Sequence, residues 1–149
     1  MKIVIGADHG GFELKENIKK YLQSINVDFK DIGNHVYNDK DDYPDFAIPV
    51  AKKVASGEFD RGIIICGSGV GACVAANKIK GVRACVCHDL YSAAQGVEHD
   101  DMNVLCLGGR IIDFEQAKAL INAFLNAKFS NLDRHINRLV KVIALEREE

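Results

Sequence analysis

The sequence of 149 residues lacks the features that mark several classes of protein. No apolar run approaches the roughly 20 residues of a membrane-spanning helix. The net charge is only -2 with both signs interspersed, which argues against nucleic acid or a membrane surface as partner. Repeats, low-complexity stretches and linkers are absent too, so we expect one domain over residues 1–149. Met1 leads directly into a strand pattern, and the expected location is the cytoplasm.

Cysteine spacing typical of a metal site or a disulfide framework is also missing. The five cysteines are an odd number and form no C-x-x-C pair, so neither a structural zinc site nor a disulfide framework is favoured. Cys73, Cys85, Cys87 and Cys106 are expected to be small hydrophobic residues in a reducing compartment. Cys66 differs from them because it directly precedes a glycine-rich loop.

Short apolar runs that end in glycine or polar turns predict five β-strands. Helical spacing appears between them, for example at Leu14, Ile18 and Leu22 and again at Phe114 and Ile121. This alternation predicts a single Rossmann-like three-layer α/β/α domain with a five-stranded parallel sheet and a C-terminal helix. The predicted strands cover residues 2–6, 27–32, 62–66, 82–87 and 103–107.

One predicted helix contains a proline. Residues 41–45 are typical of a turn, and the helix after it runs to about Ser56. If this helix begins near Phe46, Pro49 lies at the edge of its first turn, where a missing N–H costs least.

Polar segments follow four of the predicted strands. Ligands of parallel sheets bind beyond the carboxyl ends of the strands, so we expect these segments to meet on one rim. They are Asp8-His9-Gly10-Gly11, the loop after Cys66, His88-Asp89 and Gly108-Gly109-Arg110.

The loop Gly67-Ser68-Gly69-Val70-Gly71 predicts an anion site. Its glycines permit a sharp turn from strand to helix and leave backbone N–H groups unobstructed. Either a bound phosphate or an oxyanion formed during a reaction suits such N–H groups. A thiol beside a helix N-terminus is more readily held as thiolate, so Cys66 is the candidate base.

A dinucleotide site is the alternative for this loop. Gly67, Gly69 and Ala72 match the alanine form of the dinucleotide fingerprint, and Asp89 follows about 20 residues later. Three points count against it: the loop follows the third strand instead of the first, the chain is short for cofactor plus substrate, and binding needs no thiol.

A basic stripe marks the predicted C-terminal helix. Arg134 and Arg138 lie four residues apart, with Lys141 nearby, while Ile136 and Val140 lie on the opposite side. Two guanidinium groups at this spacing suit a phosphate, although a solvated face explains the pattern equally well. Asp133 is the expected N-cap of this helix.

The histidines are less informative. His99 lies in the connection that leads into the fifth strand, which places it away from the expected rim. A catalytic His99 would therefore serve the site of a neighbouring subunit. The run Glu98-His99-Asp100-Asp101 permits a metal site but is more typical of a solvated turn. His35 and His135 are interpreted as surface residues.

Taken together, these motifs resemble ribose-5-phosphate isomerase type B, a family that includes galactose- and allose-6-phosphate isomerases. The resemblance runs from the first strand to the last helix. The segments that carry it are Asp8-His9-Gly10-Gly11-Phe12, Asp42-Tyr43-Pro44, Cys66-Gly67-Ser68-Gly69-Val70-Gly71, Ala75-Ala76-Asn77-Lys78, His99-Asp100-Asp101-Met102-Asn103-Val104 and Arg134-His135-x-x-Arg138.

The resemblance implies interconversion of ribose 5-phosphate and ribulose 5-phosphate without metal or organic cofactor. It also implies a homodimer, or a dimer of dimers, with its sites at the subunit interface. Cys66 would move a proton between C2 and C1, with the backbone of Gly67, Gly69, Val70 and Gly71 and the Ser68 hydroxyl stabilising the enediolate. His99 would open the sugar ring with help from Asp8. The residues implied to bind substrate are His9, Tyr43, Asp100, Arg110, Arg134 and Arg138.

Two departures from the family pattern bear on specificity. Asp100 stands where asparagine is frequent, and Asn131-Leu132-Asp133 stands where a Gly-Gly pair often precedes the arginine. A carboxylate cannot donate a hydrogen bond, so the preferred sugar stays open between a pentose phosphate and a six-carbon sugar phosphate. A non-catalytic phosphosugar-binding module is a further alternative.

Overall fold

A computed structural model describes residues 1–147. The predicted fold is confirmed: five parallel strands form one sheet in the order β2-β1-β3-β5-β4, with helices on both faces. The strands are β1 (Lys2–Ala7), β2 (Asp28–Asp31), β3 (Arg61–Cys66), β4 (Ala84–Val86) and β5 (Val104–Gly108). The helices are α1 (Phe12–Ser24), α2 (Pro44–Ala55), α3 (Val70–Ala76), α4 (Leu90–Asp100), α5 (Phe114–Asn126) and α6 (Asp133–Ala144), followed by a 3-10 turn, Leu145–Arg147.

Alternation along the central strands divides the core into two layers. In β3, Ile63 and Ile65 pack with helices α1, α4 and α5, whereas Ile64 and Cys66 pack with α2 and α3. Successive side chains of a strand point to opposite faces, so a sheet covered on both sides needs continuous apolar runs. The run from Ile63 to Cys66 meets this need with every side chain buried.

Two expected details of the helices are wrong. Helix α2 begins at Pro44, two residues before the expected start, so Pro49 lies inside the helix. Its ring nitrogen lacks the N–H that would bond to the carbonyl of Asp45 one turn earlier. Helix α6 has Leu132 at its N-cap without a side-chain cap, and Asp133 is its first residue. There the Asp133 carboxylate still interacts favourably with the positive end of the helix.

Helix α6 differs from the other helices in its surroundings. Its buried residue is His135, while Ile136, Val140 and Val142 are exposed. The helix packs against α4 and continues directly into the 3-10 turn. Within residues 1–147, no helix has the length and apolar character needed to cross a membrane.

Candidate active site

A cleft of about 370 Å³ opens beyond the carboxyl ends of β1 and β3. The strand order reverses between these two strands, which is where ligands of open parallel sheets bind. The loops that follow β1 and β3 touch: a Cβ built on Gly10 would lie 2.8 Å from the backbone nitrogen of Gly67. We call this the strand-end cleft, and its lining residues are Asp8, His9, Gly10, Tyr43, Cys66, Gly67, Ser68, Gly71, Arg110 and Ile111.

Cys66 ends β3 at the bottom of the strand-end cleft and is 4% exposed. Its Sγ accepts a hydrogen bond from the backbone N–H of Gly69 at 3.1 Å. Gly69 adopts a φ of 82°, which only glycine adopts without strain, and this turn brings its N–H back toward the sulfur. The Gly69 N–H thus lies directly beside the sulfur of the candidate base.

The rest of the glycine loop is shaped by Tyr43 and Ser68. A Cβ on Gly71 would lie 2.7 Å from Cζ of Tyr43, so the tyrosine ring lies directly against the loop. The Ser68 hydroxyl accepts a hydrogen bond from the backbone N–H of Val70 at 3.2 Å. These contacts hold the loop against Tyr43 on one side and the Cys66 sulfur on the other.

Asp8 is buried at the end of β1. Its Oδ1 accepts hydrogen bonds from the backbone N–H groups of Gly10 at 2.9 Å and Gly11 at 3.2 Å. Burial raises the pKa of this carboxyl, against the opposing effects of His9 and these N–H groups. A carboxyl of raised pKa beside a thiol suits proton transfer to or from a bound ligand.

His9 and Arg110 supply positive charge at the mouth of the strand-end cleft. The His9 ring contacts Asp41, and this hydrogen bond raises the pKa of His9 despite the nearby Arg110. The guanidinium of Arg110 lies over the glycine loop, because a Cβ on Gly67 would be 2.9 Å from its Nη1. A histidine of raised pKa beside an arginine is suited to bind a phosphate.

The rim prediction is correct for three of its four segments. His88 does not line the strand-end cleft; its Nε2 accepts the backbone N–H of Gly108 at 3.0 Å, and burial lowers its pKa. Asp89 caps α4, accepting the backbone N–H of Ser92 at 2.7 Å. The dinucleotide interpretation would assign the Asp89 carboxylate to a ribose, but in the structure this carboxylate caps α4.

Four predicted site residues lie away from the strand-end cleft. His99 and Asp100 end α4, whereas Arg134 and Arg138 lie one turn apart near the start of α6. We call these four residues the helical group. None of them lines the strand-end cleft within residues 1–147.

The His99 ring is held on both its face and its edge. It stacks on the His135 ring with 3.9 Å between centroids, and its Nδ1 lies 2.9 Å from Nε2 of Gln95. His135 is buried, which corrects its interpretation as a surface residue, and its Nδ1 lies 2.5 Å from the hydroxyl oxygen of Ser130. Gln95 thus contacts Nδ1 of His99, and Nε2 is the ring nitrogen left for a ligand.

Sequence reasoning also missed Asp41 and Asn34. Asp41 was part of a polar turn, yet its carboxylate contacts both His9 and Asn34. The signal in the sequence is slight, since acidic turns are common and the partners lie 7 and 32 positions away.

One group of side chains in the described chain has metal-ligand geometry. Nitrogen or oxygen atoms of Asp8, His9 and Asp41 lie within 4.8 Å of one another. Hydrogen bonds account for this proximity, because Asp8 accepts two backbone N–H groups and His9 bonds to Asp41. This group is distinct from the run at 98–101 that the sequence had suggested.

The strand ends of this parallel sheet hold a buried thiol, backbone donors and a histidine–arginine pair. These features define an α/β enzyme for a small anionic substrate. The sequence model described as Ribose/Galactose Isomerase matches residues 3–142. The chain belongs to the ribose/galactose isomerase family, as the resemblance implied, and is an aldose–ketose isomerase.

Individual relatives agree over nearly the full length. Ribose-5-phosphate isomerase B of Escherichia coli is 43% identical over 97% of this chain and 96% of its own. D-erythrulose-4-phosphate isomerase 2 of Mycolicibacterium smegmatis is 42% identical over 87% of this chain and 86% of its own. The ribose-5-phosphate isomerase B of Mycoplasma genitalium, solved with bound ribulose-5-phosphate, is 41% identical with a TM-score of 0.94, over 99% of this chain and 97% of that one.

Proposed function

We propose that residues 1–149 form one isomerase domain that interconverts ribose 5-phosphate and ribulose 5-phosphate, with Cys66 as the base. The observation that carries this proposal is the buried Cys66 sulfur, hydrogen-bonded to the Gly69 N–H in a cleft that also holds Asp8, His9 and Arg110. The ribulose-5-phosphate bound to the Mycoplasma genitalium relative supports a sugar phosphate as the substrate class.

The proposed chemistry needs one base and one oxyanion site. The Cys66 thiolate removes the proton from C2 of the open-chain aldose, giving an enediolate with its charge on O1. The same thiol returns a proton to C1 while the proton of the C2 hydroxyl moves to O1, which leaves the carbonyl at C2 and restores the thiolate. The N–H groups of Gly69 and Val70 are bonded to the Cys66 sulfur and the Ser68 oxygen and help to hold the loop. The N–H groups of Gly67 and Gly71 and the Ser68 hydroxyl donate to the enediolate oxygen while it carries charge. A thiolate is a weaker base than the carbanion, so this stabilisation must supply several kcal/mol of the barrier.

The helical group completes the scheme from a second subunit. In the proposal, His99 opens the furanose ring with Asp8 assisting, and Arg134 and Arg138 bind the phosphate with His9 and Arg110. Two features support a shared site: the helical group lies outside the strand-end cleft, and α6 exposes Ile136 and Val140. A twofold dimer would cover these apolar residues and bring each helical group to the partner's cleft.

A sugar phosphate of another length is the second candidate substrate. The Mycolicibacterium smegmatis relative, named for a four-carbon substrate, is about as similar as the Escherichia coli one. Asp100 stands where asparagine is frequent, so a six-carbon sugar phosphate is also a candidate substrate. Relative kcat/KM across four-, five- and six-carbon sugar phosphates decides among them.

Proton exchange tests the proposal directly. The protein is incubated with ribose 5-phosphate in heavy water with a chelator, and both ketose formation and deuterium incorporation are followed. The wild type is expected to do both, and Cys66→Ala to lose about 10²- to 10⁴-fold of each rate, the usual contribution of a positioned base. A wild type that shows neither contradicts the proposal for this substrate.

Cys73 provides the matched control. A hydrogen bond with Cys106, and others with the Val86 backbone and Asn77, lower the pKa of Cys73 to about 6, so it is a second candidate thiolate. It does not line the strand-end cleft, and its Sγ lies 3.5 Å from the Ala84 carbonyl oxygen. Cys73→Ala should therefore keep the rate within about twofold of wild type, as substitutions away from special sites usually do.

A further inference from the structure

The Asp41 carboxylate is bound to His9 through two separate hydrogen bonds. Its Oδ1 accepts the backbone N–H of His9 at 2.9 Å and lies 2.7 Å from Nδ1 of the same residue. A carboxylate only accepts hydrogen bonds, so Nδ1 must carry the proton. The His9 ring is thereby fixed in orientation, and Nε2, across the ring from Nδ1, is left for a ligand.

Asp41 is itself held in place. Its second oxygen, Oδ2, accepts a hydrogen bond from Nδ2 of Asn34 at 2.8 Å, and its side chain is 9% exposed. Asn34 is buried, and its Oδ1 accepts no hydrogen bond from the described residues. The carboxylate therefore fixes the orientation of this amide, since reversing it would set two oxygens against each other.

The backbone around Asn34 is anchored by a fully buried lysine. Lys15 donates from Nζ to the Asn34 carbonyl at 2.7 Å and to the carboxylate of Asp31 at 2.6 Å. The Asn34 N–H donates to the Ala7 carbonyl at the end of β1. A continuous chain of hydrogen bonds thus runs from Lys15 inside the core, through Asn34 and Asp41, to His9 at the cleft.

We propose that Asp41 is a positioning residue that holds His9 as an imidazolium, with Nε2–H available to the phosphate of the substrate. The proposal rests on the proposed function, which assigns phosphate binding to His9. The arrangement resembles the way an acidic partner fixes the tautomer of a histidine in other enzymes. Asp41 acts through His9 and needs no contact with the substrate.

Other groups near His9 set the direction of the pH effect. Asp8 and Asp41 favour the charged ring, Arg110 disfavours it, and the Tyr37 ring packs edge-on with 6.4 Å between centroids. With Asp41 in place the pKa of His9 is raised, so phosphate affinity should persist to higher pH. Without the carboxylate, His9 should lose its proton, and the site its affinity, at lower pH.

Asp41→Asn tests this, because it keeps the size of the side chain and removes its charge. At pH 7, the Kd for inorganic phosphate and the KM for ribose 5-phosphate should each rise about tenfold, as expected for a lost interaction with a charged group. The kcat should fall less than KM rises. The His9 pKa, followed by NMR of its ring, should fall, and Asp39→Asn, an exposed aspartate in the same loop, should change none of these values.

A double-mutant cycle separates positioning from a general structural effect. In a His9→Ala background, Asp41→Asn should produce no additional loss of phosphate affinity. An equal loss in both backgrounds, or an unchanged His9 pKa in Asp41→Asn, overturns the proposal. If Asp41→Asn does not fold, as judged by thermal melting, Asn34→Ala should show a smaller shift of the His9 pKa in the same direction, and no shift there also overturns it.

These readouts also distinguish the two proposals. If the wild type fails to isomerise ribose 5-phosphate, the proposed substrate is wrong, but phosphate binding and the His9 titration still measure the effect of Asp41.

Discussion

The strand-end cleft is buried and internally hydrogen-bonded, whereas the helical group lies on two helices that meet outside the sheet. Cys66 and Asp8 are 4% and 6% exposed, and each accepts hydrogen bonds from backbone N–H groups nearby. Arg134 and Arg138 are exposed on α6, a helix whose buried residue is His135. Reacting groups need a fixed geometry, and the sheet supplies it for Cys66 and Asp8.

The two arginines of the helical group would gain fixed surroundings on association, whereas His99 is already held by His135 and Gln95. Arginine side chains tolerate exposure in the single chain because water solvates them, and they become ordered when a phosphate and a second surface surround them. In the proposed shared site, the two regions are two halves, one held by the sheet and one supplied by a second subunit.

Complementation gives the largest expected effect. Cys66→Ala and His99→Asn should each be nearly inactive alone. After unfolding and refolding together, half of the dimers carry one of each chain, and each such dimer has one intact site in the shared arrangement, so about one quarter of wild-type activity should return.

The control places both substitutions on the same chain. Wild type mixed with the double variant Cys66→Ala/His99→Asn should give inactive hybrids, because each of their sites lacks one group. If hybrids confirmed by native mass spectrometry are half-active in this control and the first mixture stays inactive, the site lies within one chain.

The fold was predictable because its signals are local. Continuous apolar runs such as Ile63 to Cys66 identify strands buried on both faces, and glycines after them mark the turns. The errors lie where local signals compete: Pro49 made a later start for α2 attractive, and Asp133 resembled a cap although Leu132 occupies that position.

The strand-end cleft was also largely predictable, since topology brings the ends of parallel strands together. Asp8, Cys66 and Arg110 could be assigned to one rim for this reason. Asp41, Asn34 and His135 could not, because their importance depends on contacts between distant loops and helices. Asp41 and His9 are 32 residues apart in the chain, and no periodicity connects them.

Removing the arginine pair should have the next largest effect. Arg134→Ala and Arg138→Ala should each raise KM for ribose 5-phosphate about 10- to 100-fold, the range for a charge-assisted bond to phosphate, with a smaller change in kcat. The melting temperature should not change, because both side chains are exposed.

Arg147 is the matched control for this prediction. It is an exposed arginine of the same C-terminal segment, outside the helical group, and Arg147→Ala should leave KM within about twofold. An equal rise of KM in all three variants would mean that overall charge, and not the arginine pair, attracts the substrate.

Asp8→Asn should lower activity while leaving stability unchanged or slightly raised. Burial raises the pKa of Asp8 above its usual 3.8, so the folded protein favours the protonated carboxyl. The contribution of this group to stability is therefore present at low pH and is lost as the pH rises through the folded pKa. Asparagine stays neutral and keeps an oxygen for the N–H groups of Gly10 and Gly11.

The variant should consequently melt at the same or a slightly higher temperature than wild type at pH 7, while its kcat falls about tenfold or more for lack of a proton-transferring group. Thermal melts between pH 4 and pH 7 check the sign, because any gain in melting temperature should shrink toward the acid end. A variant that is clearly less stable at pH 7 would show that the carboxylate supports the fold. In that case, placing Asp8 in the strand-end cleft would not cost stability, and no trade of stability for activity would exist at this position.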